Sequence, residues 1–370
     1  MENRNWYELA DTEDVCSPSL LVYPDRILHN IRAMVEMAGG AEHLRPHIKT
    51  HKTAEIVVMQ LDQGIQKFKC ATIAEAELLA MCKAPDILLA MQPVGANMKR
   101  FFDLMDTYPE SKFSALVDNL DSLNALSKMV ESQGTTVSLW MDINCGMDRT
   151  GILPDGNAID LYRKMDADPN IKAKGLHAYD GHIRNTDVAE RKKACDLSFS
   201  SIVKVKKTLE SKGIKVNRIV AGGSPTFPFH AQRDGVEASP GTTLLWDAGY
   251  GDRFPEMDFL PAAVLLTRII SKPAKSILCL DLGHKHLAPE MPFPRVRFLN
   301  MDNCIQRGQS EEHFVLECTN AEHFAIGYVC YALPVHICPT VAKYDSLQVV
   351  SEGMIIDEWQ VVARNQRISI

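Results

Sequence analysis

Apolar positions along this chain follow two rhythms, and the change between them falls near residue 255. From about residue 20 to 250, short apolar runs alternate with longer stretches of helical period, the order expected of parallel strands joined by helices. SLLVY (19–23), FKCA (68–71), DILLAM (86–91), FSALVD (113–118), VSLWMDI (137–143), KGLHAYD (174–180) and NRIVAGG (217–223) have strand character. After the first of them, Asp25 opens an amphipathic helix with Ile27, Ile31, Met34 and Val35 on one face. Thr72 and Glu75 form a capping box ahead of the apolar helix AEAELLA. This cadence predicts a (β/α)8 TIM-type barrel over 19–254. Beyond it, AAVLLTRIIS, KSILCLDLG, HFVLEC, GYVCYALPVHIC, LQVVS and EWQVVA are β-rich runs separated by turn residues. They predict a C-terminal β-domain over 255–370, with residues 1–18 packing against it.

Composition narrows the class of protein. The chain has 370 residues, more than one hydrophobic core usually supports. A net charge of -7 argues against a nucleic-acid partner, which calls for a basic face. The start, MENRNWYELADTEDV, lacks a basic segment followed by an apolar run. No apolar stretch approaches the roughly 20 residues that span a bilayer. A cytoplasmic protein with no membrane partner is therefore expected. The ten cysteines are scattered without a CxxC pair and read as reduced thiols.

Four constellations carry candidate chemistry. In LRPHIKTHK (44–52), a strand would put Arg45, His47, Lys49 and His51 on one face. A lysine among such neighbours at the end of a barrel strand suits a Schiff base, since burial and nearby cations lower its pKa. The same residues also fit a solvated basic turn. DINCGMDRTG (142–151) ends a strand in a glycine-rich turn bearing Arg149, which could hold a cofactor oxygen or pair with Asp148. VAGGSPT (220–226) and SPGTTLLWD (239–247) combine glycines with Ser224 and Thr226, as an anion cradle or as two ordinary turns. In HIC (336–338), a strand would aim His336 and Cys338 the same way, as metal ligands or as core residues. Tyr179 could lie against a cofactor ring or simply pack. His182, at the strand's end, is catalytic or merely exposed. GHKHLAPE (283–290) is a polar turn with two imidazoles that could face a site or only solvent.

Taken together and in this order, RPHIKTHK, GGSPT, PGT and HIC resemble the D-threonine aldolase / D-serine dehydratase family of fold-type III pyridoxal-phosphate enzymes. The resemblance runs from SPSLLVY to EWQVVAR. It implies an alanine-racemase-like barrel with a C-terminal β-domain, usually dimeric, working on a small D-amino acid. It implies that Lys49 holds pyridoxal 5'-phosphate, that Arg149 meets the phenolic-oxygen side, and that Tyr179 faces the ring. Gly223, Ser224, Thr226, Gly241 and Thr242 would surround the phosphate. His336 and Cys338 would hold a divalent metal beside the substrate's β-hydroxyl, Zn2+ first, with Mn2+ or Mg2+ as alternatives. His51 and His182 join Lys49 as candidate proton carriers.

Two departures bear on the reaction. Alanine racemases carry an arginine just before the Pro-Gly turn, where this chain has Ser239, so the partner of the pyridine nitrogen is left open. His-x-Cys resembles the dehydratases, whereas GHKHLAPE resembles the aldolases. The expected reaction is retro-aldol cleavage of the D-threonine type, giving glycine and an aldehyde. D-Serine dehydration to a 2-oxo acid and ammonia is the alternative. A racemase would need a second acid/base, for which Tyr250, Tyr328 and Tyr331 are available by type. A non-catalytic cofactor carrier would end near residue 250.

Overall fold

The first apolar run does not enter the barrel. In the computed structural model, which describes residues 4–370, β1 (Ser19–Val22) pairs antiparallel with Ala263–Ala274 and parallel with Ser346–Ser351. The expected barrel start at residue 19 is therefore corrected. The reason is physical: an apolar run buried on both faces looks the same inside a mixed sheet as in a parallel barrel.

The barrel is built from β2 (Lys67–Cys70), β3 (Asp86–Leu89), β4 (Lys112–Val117), β5 (Val137–Ile143), β6 (Ile171–Ala178), β7 (Arg218–Ala221) and β8 (Val236–Ala238), parallel and in sequence order. The eighth place belongs to residues 44–47. Leu44 bridges Ala238 of β8 and His47 bridges Lys69 of β2, both parallel. Arg45 N donates to Ala238 O (2.9 Å) and Lys69 N to Pro46 O (2.8 Å). The expected strand over 44–52 thus stops at His47, and a 3-10 turn, Ile48–Thr50, follows. Arg45, His47, Lys49 and His51 do not share one face, because the period of two ends with the strand. The helix after β2 starts at the predicted cap: Thr72 accepts from Glu75 N, while Glu75 Oε2 accepts from the N–H of the preceding residue, Ala71 (2.6 Å). Leu88, Leu116, Trp140 and Val220 form a buried cluster among the strands, where Trp140 Nε1 donates to Ser114 Oγ (3.1 Å).

This barrel unit comprises Met34–Lys49, Val57–Gly241 and Asn365–Ile370. The other unit takes in the chain up to Ala33, Thr50–Ile56 and Thr242–Arg364. Its strands are β1, β9 (Ala263–Ala274), β10 (Ile277–Leu280), β11 (Val296–Phe298), β12 (Cys304–Gln309), β13 (Phe314–Cys318), β14 (Val329–Pro334), β15 (Ser346–Ser351) and β16 (Met354–Gln360). They form one mostly antiparallel sheet in the order β12-β13-β10-β9-β1-β15-β16, with β14 also on β9 and β11 on β14. Tyr7 and Leu9 of the N-terminal segment pack with Leu21, Val264, Leu266 and Tyr331 of this sheet.

Cysteine usage is a second correction. Cys304 and Cys318 form a disulfide, because the β12–β13 register sets them directly opposite each other. The remaining eight cysteines are free. Among the described residues, no helix is long and apolar enough to cross a membrane.

Candidate active site

Barrel strands deliver their side chains to the C-terminal rim, where such folds place chemistry. Lys49 lies just past the segment that completes the ring, and its Nζ is 5.5 Å from the centre of the Tyr179 ring. Tyr179 follows the last residue of β6. The Arg149 guanidinium, carried by the turn after β5, sits 4.8 Å from the same ring. That turn is shaped by Asn144, whose Oδ1 accepts from Gly146 N (3.0 Å) and Asp148 N (3.1 Å). Asp148 in turn accepts from Asn144 Nδ2 (2.9 Å), so Arg149 extends over Tyr179. Two glycines press on the ring: a Cβ at Gly181 would lie 2.4 Å from its atoms, and one at Gly223 would lie 2.9 Å away.

A third cation joins this group, and sequence reasoning missed it. Lys69, on β2, is only 3% exposed, and its Nζ lies 5.9 Å from the Tyr179 centre. Burial first, and the charge of Lys49 second, bring its pKa down to about 7. The signal was present as Lys67 and Lys69 alternating within an otherwise apolar strand. His177, two residues before Tyr179, was also missed. Its Nδ1 meets Asp142 Oδ1 (2.7 Å), and its Nε2 is buried without a hydrogen-bond partner. Burial outweighs the pull of Asp142 and lowers the pKa of His177, so the ring is neutral.

The glycine turn after β7 is held from beneath. Thr226 Oγ1 donates to Asp180 Oδ1 (2.8 Å), and His230 Nε2 donates to Asp180 Oδ2 (2.8 Å). A Cβ at Gly222, which has φ +84, would lie 2.5 Å from His230 Cδ2. Ser224 Oγ accepts from Gly241 N (3.2 Å), tying this turn to the Pro-Gly turn. Asp180, Cys195 and His230 also offer ligand atoms within 4.8 Å of one another. However, Arg233 Nη1 donates to His230 Nδ1 (2.5 Å), so both ring nitrogens are engaged and the trio acts as a brace. Ser239 turns its hydroxyl to Arg45 O (2.9 Å).

The other unit holds the expected metal pair. His336 and Cys338 are not on a strand: His336 caps a short helix, Ile337–Val341, that follows β14. The side chains nevertheless meet. Burial would lower the pKa of His336, but hydrogen bonds to Cys338 and Glu290 lift it to about 9. Burial would raise the Cys338 thiol, but His336, Thr242 and Thr50 bring it below its ordinary value. Cys338 Sγ lies 3.2 Å from Thr50 Oγ1 and 3.4 Å from Thr242 Oγ1. Glu290, the last residue of the GHKHLAPE turn, meets His336 Nδ1 at 2.6 Å. A carboxylate on the outer nitrogen of an imidazole is the usual support of a metal-binding histidine. Buried Asp247 secures the start of this helix, accepting from Ile337 N (3.0 Å) and Tyr250 N (2.9 Å).

His51 belongs to the same unit as His336 and Cys338 and is fully buried. Its Nδ1 accepts from Thr53 N (3.2 Å), and burial takes its pKa down to about 3. It is therefore a neutral imidazole. His182 is exposed on the barrel unit, packed over Gly146.

Comparison with known proteins agrees with this architecture. Residues 22–248 match the family described as "Alanine racemase, N-terminal domain", and residues 262–350 match "Putative serine dehydratase domain". The chain is 27% identical to a D-threonine aldolase of an Arthrobacter species, covering 95% of this chain and 93% of that one. It is 25% identical to a 3-hydroxy-D-aspartate aldolase of Paracoccus denitrificans, covering 96% and 94%. The crystal structure of a D-threonine aldolase from Filomicrobium marinum superposes with a TM-score of 0.85 at 24% identity, over 95% of this chain and 96% of that one. The chain thus belongs to the alanine-racemase-like family of pyridoxal-phosphate enzymes, in its branch of D-threonine aldolase and D-serine dehydratase lyases.

Proposed function

We propose that this protein is a pyridoxal-phosphate- and divalent-metal-dependent lyase of D-β-hydroxy amino acids, cleaving a D-threonine-type substrate to glycine and an aldehyde. The observation that carries this reading is the convergence of Lys49, Lys69 and Arg149 on the Tyr179 ring at the barrel rim. These cations have no protein anion in hydrogen-bond reach among the described residues, so the donor set suits an anionic cofactor. When bound, pyridoxal phosphate supplies an electron-withdrawing ring that weakens the bonds at the substrate Cα, and a divalent ion polarises the β-hydroxyl.

The chain's own groups divide the remaining work. Lys49 Nζ is the amine that would hold the cofactor, and the same nitrogen can hold or return a proton at the substrate Cα. Tyr179, braced by Gly181 and Gly223, supplies a flat wall. Arg149 holds an anionic oxygen above it. The Gly222–Gly223 turn and Ser224 bring backbone donors to the phosphate, and Asp180 and His230 keep that turn in shape. Gly241, tied to Ser224, extends the same cradle. His336 and Cys338 would hold the metal, Zn2+ being favoured by an imidazole with a sulfur ligand. Glu290 orients His336.

A second reading, loss of ammonia from D-serine, is favoured by one feature: the metal pair ends in a thiol, as in the dehydratases. Purified protein loaded with pyridoxal phosphate and Zn2+ or Mn2+ separates the two. Equal amounts of acetaldehyde and glycine from D-threonine support the first reading, and pyruvate from D-serine supports the second. Lys49→Ala should lower either rate by about 10³-fold or more and remove the cofactor that borohydride fixes to the protein. A Lys49→Ala protein that still fixes it, or wild type inert toward both substrates, sinks the proposal.

A further inference from the structure

We propose that Lys69 is a second functional amine of the Lys49 site, donating to an anionic oxygen of the bound molecule. This rests on the reading of Lys49 as the cofactor-holding lysine. The barrel itself supplies the contrast. Lys67, two residues earlier on β2, donates to Glu237 Oε1 at 2.8 Å. Lys69 is 3% exposed, yet no hydrogen bond or ion pair to its ammonium occurs among the described residues. A buried cation left so is destabilising unless something supplies the missing acceptor.

The carboxylates that attract Lys69 are already committed. Asp142 takes His177 Nδ1 and Gln92 Nε2, and Asp180 takes Thr226 and His230. The other side chains placed over the Tyr179 ring are themselves cationic, Lys49 and Arg149. His177 Nε2, in the electrostatic reach of Lys69 and Arg149, is a buried polar atom without a hydrogen-bond partner among the described residues. The depressed pKa of Lys69 follows first from burial and then from the nearby charge of Lys49, and an anion entering beside it would relieve it. Two anionic oxygens fit this chemistry: the phenolic oxygen of the cofactor and the carboxylate of the amino-acid substrate.

The experiment compares wild type, Lys69→Met and Lys69→Arg, each loaded with pyridoxal phosphate and metal. It reads cofactor affinity, the pH titration of the cofactor's visible band without substrate, and KM and kcat with D-threonine and D-serine. Loss of one charged hydrogen bond should weaken the affected step by about tenfold to a hundredfold in Lys69→Met, with partial recovery in Lys69→Arg. Weaker cofactor binding with a shifted band titration assigns the phenolic oxygen. An unaltered band with raised KM and retained kcat assigns the substrate carboxylate. Wild-type values of all these quantities in Lys69→Met overturn the assignment while leaving Lys49 intact. Wild type that fixes no cofactor on borohydride treatment overturns both. Lys69→Gln replaces the methionine variant if that one fails to fold.

Discussion

The two ends of the barrel lumen treat positive charge in opposite ways. At the N-terminal end, Arg45 is 1% exposed and fully answered: its Nε donates to Glu237 Oε2 and its Nη1 to Asp86 Oδ1, both at 2.7 Å. Lys67 shares Glu237. At the C-terminal end, Lys49, Lys69 and Arg149 surround Tyr179 with no anion in hydrogen-bond reach of them among the described residues. The same strand, β2, contributes one lysine to each end. Charge that is paired within the chain supports the fold, and charge that is left unpaired awaits a ligand.

This comparison can be broken or sharpened. The largest effect is expected at the paired end. Arg45→Met takes its guanidinium from Asp86 and leaves Glu237 with Lys67 alone, and should destabilise the protein by about 3–5 kcal/mol in denaturant melts; a loss below 1 kcal/mol would dissolve the distinction between the two ends. A smaller effect is expected in the other unit, where polar groups are also paired. Glu290→Gln should lower metal affinity by about 10–100-fold, read by titration with a competing chelator, with little change in the folding of the metal-free protein. Unaltered affinity would show that Glu290 does not support a metal ligand.

The smallest effect is a slope. The Lys69 pKa is about 7 in the folded protein against an ordinary 10.5, so between those values the unfolded chain binds the extra proton. Stability of the cofactor-free protein should then rise with pH across that window and level off above it. Lys69→Met should flatten that rise and be the more stable protein near pH 7. Parallel pH–stability curves for the two proteins would mean that Lys69 is not desolvated.

Much of this was legible from residue order. The alternation of apolar runs and helical stretches, the Thr72 capping box and the order of the polar motifs announced a barrel followed by a β-domain. Lys49, Arg149, Tyr179 and Gly223 do come together on the barrel unit, and His336 does meet Cys338. The route was sometimes different: the expected metal pair meets at a helix start rather than along a strand. SLLVY gave no sign of its sheet, because apolar content reports burial and not pairing partners. The Cys304–Cys318 bond was invisible for the same reason.

What the chain determined alone was local. Period and turn chemistry set where strands and helices begin, since these depend on neighbours within a few residues. What only the folded structure decided was which charges are answered. Lys67 and Lys69 are indistinguishable in KFKC, and their fates diverge because Glu237, 170 residues away from Lys67, reaches one and not the other. Hydrogen bonds between such distant residues depend on ångström-scale placement, and no one-dimensional pattern encodes that placement.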